Sequence, residues 1–282
     1  MSVGTFKYVS STGDEYNFIE GNHYVKTASL HDFTWEPNKT AYKLGDKLKG
    51  FTKDSIKYDI TLGFYGSQAS IESTLNTIHD LFEHDVMLRS PGKIYYGDYS
   101  IKCYIISSKV YPSEEGTRTL NDITIYCPYP FWTKETTYTL TVSGTDGVID
   151  GLDYPFDFPF DLGVSGYKKT IAYGISIPVD FKLKIYGPVT NPTIVINGHT
   201  YEVDVTVGSG STLTIDSLEK ADKERSIVLT YPSGTENNVF YARNRDSYIF
   251  QQITGPKIIV TCAQDITFDL TLIENRSEPL WS

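Results

Sequence analysis

Residues 126–163 read YCPYPFWTKETTYTLTVSGTDGVIDGLDYPFDFPFDLG, and this stretch divides the chain into two strand-rich parts. Two proline–aromatic clusters bracket it, CPYPFW at 127–132 and YPFDFPF at 154–160. In the second cluster Tyr154, Phe156, Phe158 and Phe160 alternate with Pro155, Asp157, Pro159 and Asp161. Proline has no N–H to donate, which excludes Pro155 and Pro159 from a central strand. The segment is expected to run extended along an edge and to press every second side chain inward. That is the pattern of a linker stapled to a domain surface, not of a catalytic loop. It predicts that Phe131, Trp132, Tyr154, Phe156, Phe158 and Phe160 pack domain to domain, each ring contributing about 2–3 kcal/mol. The domains read from it are 1–134 and 135–282, the second beginning through a linker or edge segment at 135–163.

Upstream, Phe6–Val9, Tyr24–Ala28 and Ile56–Phe64 have strand character. Between the last two, Asp32 to Lys49 is polar, studded with aromatics and punctuated by glycine, and reads as a long loop or arm. One strong helix is expected, over 68–84. Ile71, Leu75, Ile78 and Phe82 fall on one stripe, Ser67 or Ser70 can cap its start, and Ser90-Pro91-Gly92 follows its end. A hairpin-rich block comes next: Lys93–Tyr96 turns at Gly97-Asp98 into Tyr99–Tyr111, and Arg118–Cys127 returns. Such a long two-stranded excursion is consistent with an assembly arm or a simple sheet pair.

Downstream, alternation is plain. Phe181, Leu183 and Ile185 alternate with Lys182 and Lys184; Tyr201, Val203, Val205 and Val207 alternate with Glu202, Asp204 and Thr206. Asn197-Gly198 is a hairpin turn pair. Ile266, Phe268, Leu270 and Leu272 close the series. Many short strands with turn signals about every ten residues mean an antiparallel sandwich, with no helix beyond residue 165 except a turn at 218–223.

The chain has 282 residues, enough for two ordinary domains, and a folded, strand-leaning composition with 14% aromatic residues. A net charge of −10 argues against a surface that grips nucleic acid, which needs a basic face. No apolar run approaches the roughly 20 residues of a membrane helix, and the opening residues carry no secretory signal pattern. Synthesis in a cytoplasm is the expectation. Cys103, Cys127 and Cys262 are odd in number and widely spaced, the pattern of buried free thiols rather than of disulfides or a zinc site.

No catalytic, cofactor or metal signature survives inspection. His79 and Glu83 share a helix face, but no further ligands are spaced to complete a metal site. Asp157 and Asp161 alternate with aromatics instead of straddling a substrate, and Glu114-Glu115 is a solvated turn. Gly208-Ser-Gly-Ser-Thr has the wrong spacing for a nucleophile elbow, and no phosphate loop is present. The chain is therefore read as a non-enzyme.

The order of motifs resembles the distal tail proteins of non-contractile, long-tailed phages and related prophage tails. The matching pieces are PGKIYYGDYSIKCYI at 91–105, CPYPFW at 127–132, DYPFDFPFDLG at 153–163, GPVTNPTIVINGHTYEV at 187–203, LTIDSLEK at 213–220 and NRSEPLW at 275–281. The first 50 residues match poorly, and Thr254-Gly255-Pro256-Lys257 stands where the family has a Pro-Gly-Asn turn. The resemblance implies a mainly β protein, with a β-sandwich-like first domain carrying one α-helix and a galectin-like antiparallel second sandwich. It implies a virion structural protein at the tail tip, a homohexameric ring that contacts the tail tube and the tail-tip adhesins. DNA would pass through the ring without specific binding, and an acidic lining would let it slide. A carbohydrate-binding module is the alternative, because tyrosines and Trp132 can stack on sugars. Against it, His199, Arg243, Arg245 and Trp281 are scattered in the sequence rather than clustered as a galectin-type site requires.

Overall fold

The computed structural model describes residues 6–112, 117–142, 167–174, 177–220 and 223–280. The protein is mainly β, and two compact units divide the chain: residues 1–134 with 275–282, and residues 135–274. Residues 275–282, expected at the end of the second domain, group with the first unit.

In the first unit, strands β1 (Phe6–Val9), β2 (Glu15–Asn17), β3 (His23–Ala28), β4 (Glu36–Tyr42), β5 (Gly45–Thr52) and β6 (Ile56–Tyr65) precede helix α1 (Gln68–Met87). Strands β7 (Gly92–Tyr96), β8 (Tyr99–Pro112), β9 (Arg118–Cys127) and β10 (Trp132–Thr141) follow. Two antiparallel sheets form, β2-β1-β7-β8 and β3-β6-β9-β8. Strand β8 belongs to both. Residues 99–103 pair with β7 and residues 104–112 with β9, and a register shift between Ile105 and Ser107 bends the strand near the change of partner. Between the sheets and α1 lies a core that includes Tyr8, Tyr58, Leu62, Ile101, Ile125 and Trp132.

Helix α1 forms where the stripe predicts it. Ile71, Leu75, Ile78 and Phe82 are buried, and the Ser67 side chain accepts a hydrogen bond from the Ser70 N–H. It runs three residues further than expected, to Met87. The extra turn has a reason: Asp85, fully buried, accepts from the Tyr8 hydroxyl and from the Ser11 N–H and hydroxyl at 3.0 and 2.5 Å. These bonds tie the helix end to the loop after β1. Gly92 completes the site by having no side chain, since a Cβ there would collide with the Tyr8 ring and the Asp85 carboxylate.

The stretch 32–49, read from sequence as a long loop or arm, is largely a β-hairpin. Strands β4 and β5 pair with each other and, among the described residues, with no other strand. Gly45, at φ 87°, closes the turn after Lys43-Leu44, and Lys39 bridges to Asp46 across the ladder at 2.6 Å.

In the second unit, β11 (Tyr167–Ala172), β12 (Asp180–Tyr186), β13 (Val189–Thr190), β14 (Thr193–Ile196), β15 (His199–Glu202) and β16 (Thr206–Val207) lead to β17 (Thr212–Asp216) and β18 (Ser226–Thr230). Then come β19 (Glu236–Asn238), a 3-10 turn (Phe240–Ala242), β20 (Lys257–Cys262) and β21 (Thr267–Arg276). One sheet is ordered β19-β18-β17-β12-β21-β10 and the other β11-β20-β14-β15. Their inward residues share one core: Phe181, Leu183, Leu213 and Leu270 from the first sheet, Ile194, Tyr201 and Val260 from the second. That is the layered arrangement the period-two alternation demands. Residues 135–141, the start of the expected linker or edge segment, are strand residues beside β21, with Thr139 donating to Asp269 at 2.7 Å. Asn197 and Gly198 take positive φ, 51° and 81°, in the β14–β15 turn.

Candidate functional site

Of the six aromatics expected at the domain seam, Phe131 and Trp132 lie in the described chain; Tyr154, Phe156, Phe158 and Phe160 lie outside the described residues. Phe131 and Trp132 both belong to the first unit. Trp132 is fully buried, its indole N–H donating to the Tyr58 hydroxyl at 3.3 Å. Phe131 joins a cluster with Tyr129 and Trp35, ring centres 5.1 and 5.7 Å away. The Lys53 ammonium sits 4.7 Å from the Phe131 ring centre, 5.5 Å from Trp35 and 5.7 Å from Phe33. Its Nζ is buried without a hydrogen-bond partner, and burial pulls its pKa down to about 8. The rings provide the remaining compensation for the charge.

This cluster flanks the β4–β5 hairpin, Trp35 just before it and Lys53 just after. Trp35 is further held by its indole N–H, which donates to the Ser277 hydroxyl at 3.0 Å. Beyond that foot the hairpin's apolar side chains meet solvent. Leu44 at the turn is 95% exposed, and Tyr42, Leu48 and Phe51 are all more than half exposed. Lys39, Lys43, Lys47 and Lys49 make this a basic element in an acidic chain. A ladder with no buried residue among the described residues, yet with four large apolar side chains, has the character of a protein-contact surface.

Several reactive or ionisable groups elsewhere in the described chain have structural partners or are buried. Burial and the Asp85 contact push the Tyr8 hydroxyl far above the ordinary tyrosine range. Burial raises the Cys103 and Cys262 thiols, and all three cysteines are free and buried, the state of inert thiols. His79 is hydrogen-bonded to the Ser108 hydroxyl at 2.9 Å. Among the described residues no group of three or more His, Cys, Asp or Glu could hold a metal ion. No described helix is long and apolar enough to cross a membrane.

In the second unit, residues that looked dispersed in sequence converge. His199 Nε2 lies 2.9 Å from the Tyr248 carbonyl and 3.1 Å from the Ser247 hydroxyl, and Tyr248 stands beside Arg225, Arg243 and Arg245 at a cleft of about 740 Å³. Nothing in the sequence marks this grouping, since its members run from His199 to Tyr248 with strand, turn and loop between them.

No protein-family model and no curated protein sequence matches the chain. Solved structures do. The SPP1 Dit (gp 19.1) protein, described as a paradigm of hub adsorption apparatus in Gram-positive infecting phages, aligns with a TM-score of 0.60 at 9% identity. That alignment covers 96% of this chain and 99% of that one. A chain of the phage P2 baseplate in its activated conformation with Ca aligns with a TM-score of 0.54 at 10% identity, covering 97% and 99%. The corresponding Sr structure gives 0.55 at 10%, covering 98% and 99%. The fold is thus that of the SPP1 Dit protein along nearly the whole length of both chains, in agreement with the mainly β architecture expected from the motifs.

Proposed function

We propose that this protein is a structural hub component of a phage tail tip, assembling as a homohexameric ring between the tail tube and the receptor-binding apparatus. The observation that carries the reading is the end-to-end likeness to SPP1 Dit and the P2 baseplate chains. One feature of the molecule supports it. The β4–β5 hairpin offers apolar surface that the other described residues leave exposed.

In a head-to-tail ring each copy presents one surface and receives another, and the rotation closes. The hairpin is the element best suited to be presented. Light scattering on the purified protein, followed by negative-stain microscopy, tests the reading: closed rings of about six copies are expected. A protein that stays monomeric at high concentration, alone and mixed with its tail-tube protein, would refute it. The net charge of −10 fits a channel along which DNA slides, so the ring should not retain duplex DNA even at low salt.

A further inference from the structure

The cleft in the second unit has the make-up of a ligand site. Its floor is apolar: Ile249 and Phe250 are buried, and Phe240 stacks on Phe250 with ring centres 5.6 Å apart. Its walls are polar and of mixed sign, with Arg225, Arg243 and Arg245 opposed by Glu219 and Glu224.

The three arginines are differently placed. Arg225 is engaged: it donates to the Ser217 carbonyl at 3.2 Å and to the Tyr248 hydroxyl at 2.5 Å, and it pairs with Glu219 at 3.2 Å. Arg243 lies over the Phe240 ring, 4.3 Å from its centre, and uses one nitrogen on the Phe240 carbonyl. A guanidinium has five N–H donors, so most of its hydrogen-bonding capacity stays open. Arg245 is exposed and has no hydrogen-bond or ion-pair partner among the described residues. Tyr248, 55% exposed, presents an aromatic ring beside them.

The backbone that carries these groups is pinned. Asn244 takes its N–H to the Glu202 carbonyl at 3.1 Å and its side-chain amide to the Glu202 carboxylate at 2.6 Å. Val203 bridges to Arg243. Two forked cations with free donors, on a fixed support above an apolar floor, match a planar or tetrahedral anion. The exposed tyrosine ring and the wall carboxylates and amides match the C–H faces and hydroxyls of a sugar. Convergent polar groups around an apolar floor are the ordinary make-up of a small-ligand site. A nucleic acid is disfavoured, because Glu219 and Glu224 would face its phosphates.

We propose that this cleft binds a saccharide bearing an anionic group, a carboxylate or a phosphate, with Arg243 and Arg245 taking the anion and Tyr248 stacking on the sugar ring. The site lies within residues 217–250, and its function does not depend on the ring assembly proposed above.

The test is calorimetric titration of the full-length protein with four probes: trigalacturonic acid, a short glycerol-phosphate oligomer, neutral maltotriose and a dT oligonucleotide. At least one anionic saccharide should bind tenfold or more tighter than maltotriose, with affinity falling as salt rises. Preference for the uronate or for the phosphate oligomer identifies which anion the site takes. Arg245→Ala, at an exposed side chain, should weaken that binding at least fivefold without shifting Tm, and Tyr248→Ala should weaken the neutral part of the interaction. Arg243→Lys keeps the charge while losing the fork, and should weaken binding of the anionic probe. The proposal is overturned by equal binding of charged and neutral sugars, by no binding of either anionic probe, by unchanged affinity in Arg245→Ala, or by the oligonucleotide binding as tightly as the saccharide.

Discussion

Two hairpins of this protein share a local design and have opposite fates. In β14–β15 a two-residue Asn-Gly turn joins strands that send Ile194, Ile196 and Tyr201 into a core. In β4–β5 a turn of similar tightness joins longer strands with almost no buried residue along their length. The first is held by the hydrophobic effect acting on one face. The second is held by its ladder, one cross-strand ion pair and an aromatic foot, and its faces stay open. Backbone pairing alone makes both hairpins; burial decides which is part of a domain and which projects from one. An isolated two-stranded ladder is marginal in water, so the projecting hairpin gains from a covering partner while the inward one does not.

The contrast breaks most sharply at Tyr201. Its ring is 1% exposed, packs edge-on against Phe181 with centres 5.0 Å apart, and donates its hydroxyl to the Gln251 carbonyl at 2.8 Å. Tyr201→Ala should destabilise by about 3–5 kcal/mol, read by denaturant titration; a loss below 1 kcal/mol would mean the inward hairpin is not supported by its core. At the turn of the same hairpin, Asn197 donates to the Thr254 and Lys257 carbonyls at 2.8 and 3.3 Å and accepts from the Ile259 N–H at 2.7 Å. Asn197→Ala loses these bonds and a residue suited to positive φ, and should cost about 1–3 kcal/mol. The projecting hairpin should behave in the opposite way. Leu44→Asp should leave monomer stability within about 0.5 kcal/mol yet abolish or weaken the proposed assembly, read by light scattering. A large fall in Tm with assembly intact would reverse that assignment.

A pH-dependent effect lies at the foot of the projecting hairpin. Lys53 holds a pKa of about 8 when folded against 10.5 for a free lysine. Between those values the unfolded chain binds more protons, so stability should rise with pH from about 8 towards 10. Above pH 10 the trend reverses, because burial raises the hydroxyls of Tyr8, Tyr16 and Tyr201 and the unfolded tyrosines ionise first. Lys53→Met should remove the rise and keep the fall. Equal pH profiles for the two proteins would show that Lys53 is not strained in its cage.

These two hairpins also show what could be read from the residues alone. Burial of one face writes itself into the sequence as alternation, which is why β12, β14, β15 and β21 were legible, and why the Ile71–Phe82 stripe announced α1. Strands β4 and β5 bury neither face, so no period exists to detect, and glycine with scattered aromatics looks like loop. Asp85 extended the helix through contacts with Tyr8 and Ser11, residues more than seventy positions away, which no local pattern encodes. The cleft was hidden for the same reason: Arg225, Arg243 and Tyr248 meet only once the second unit has folded. Its nearest sequence clue was the pair of arginines at 243 and 245, whose neighbours Arg225, in the cleft wall, and Glu202, which holds the intervening Asn244, lie about twenty and forty positions upstream.

The first unit opens to release the second and then closes again, with Thr133 donating to the side chain of Asn275 at 3.0 Å where the chain departs and returns. Residues 135–274 are therefore a cassette spliced into a host module at two adjacent points. One proteolytic nick inside the cassette would leave the downstream fragment joined to the rest of the first unit only by the non-covalent packing of residues 275–282. Recombination could likewise replace the whole cassette, ligand cleft included, while sparing the module that carries the projecting arm, so that what the protein grips and how it assembles are free to evolve separately.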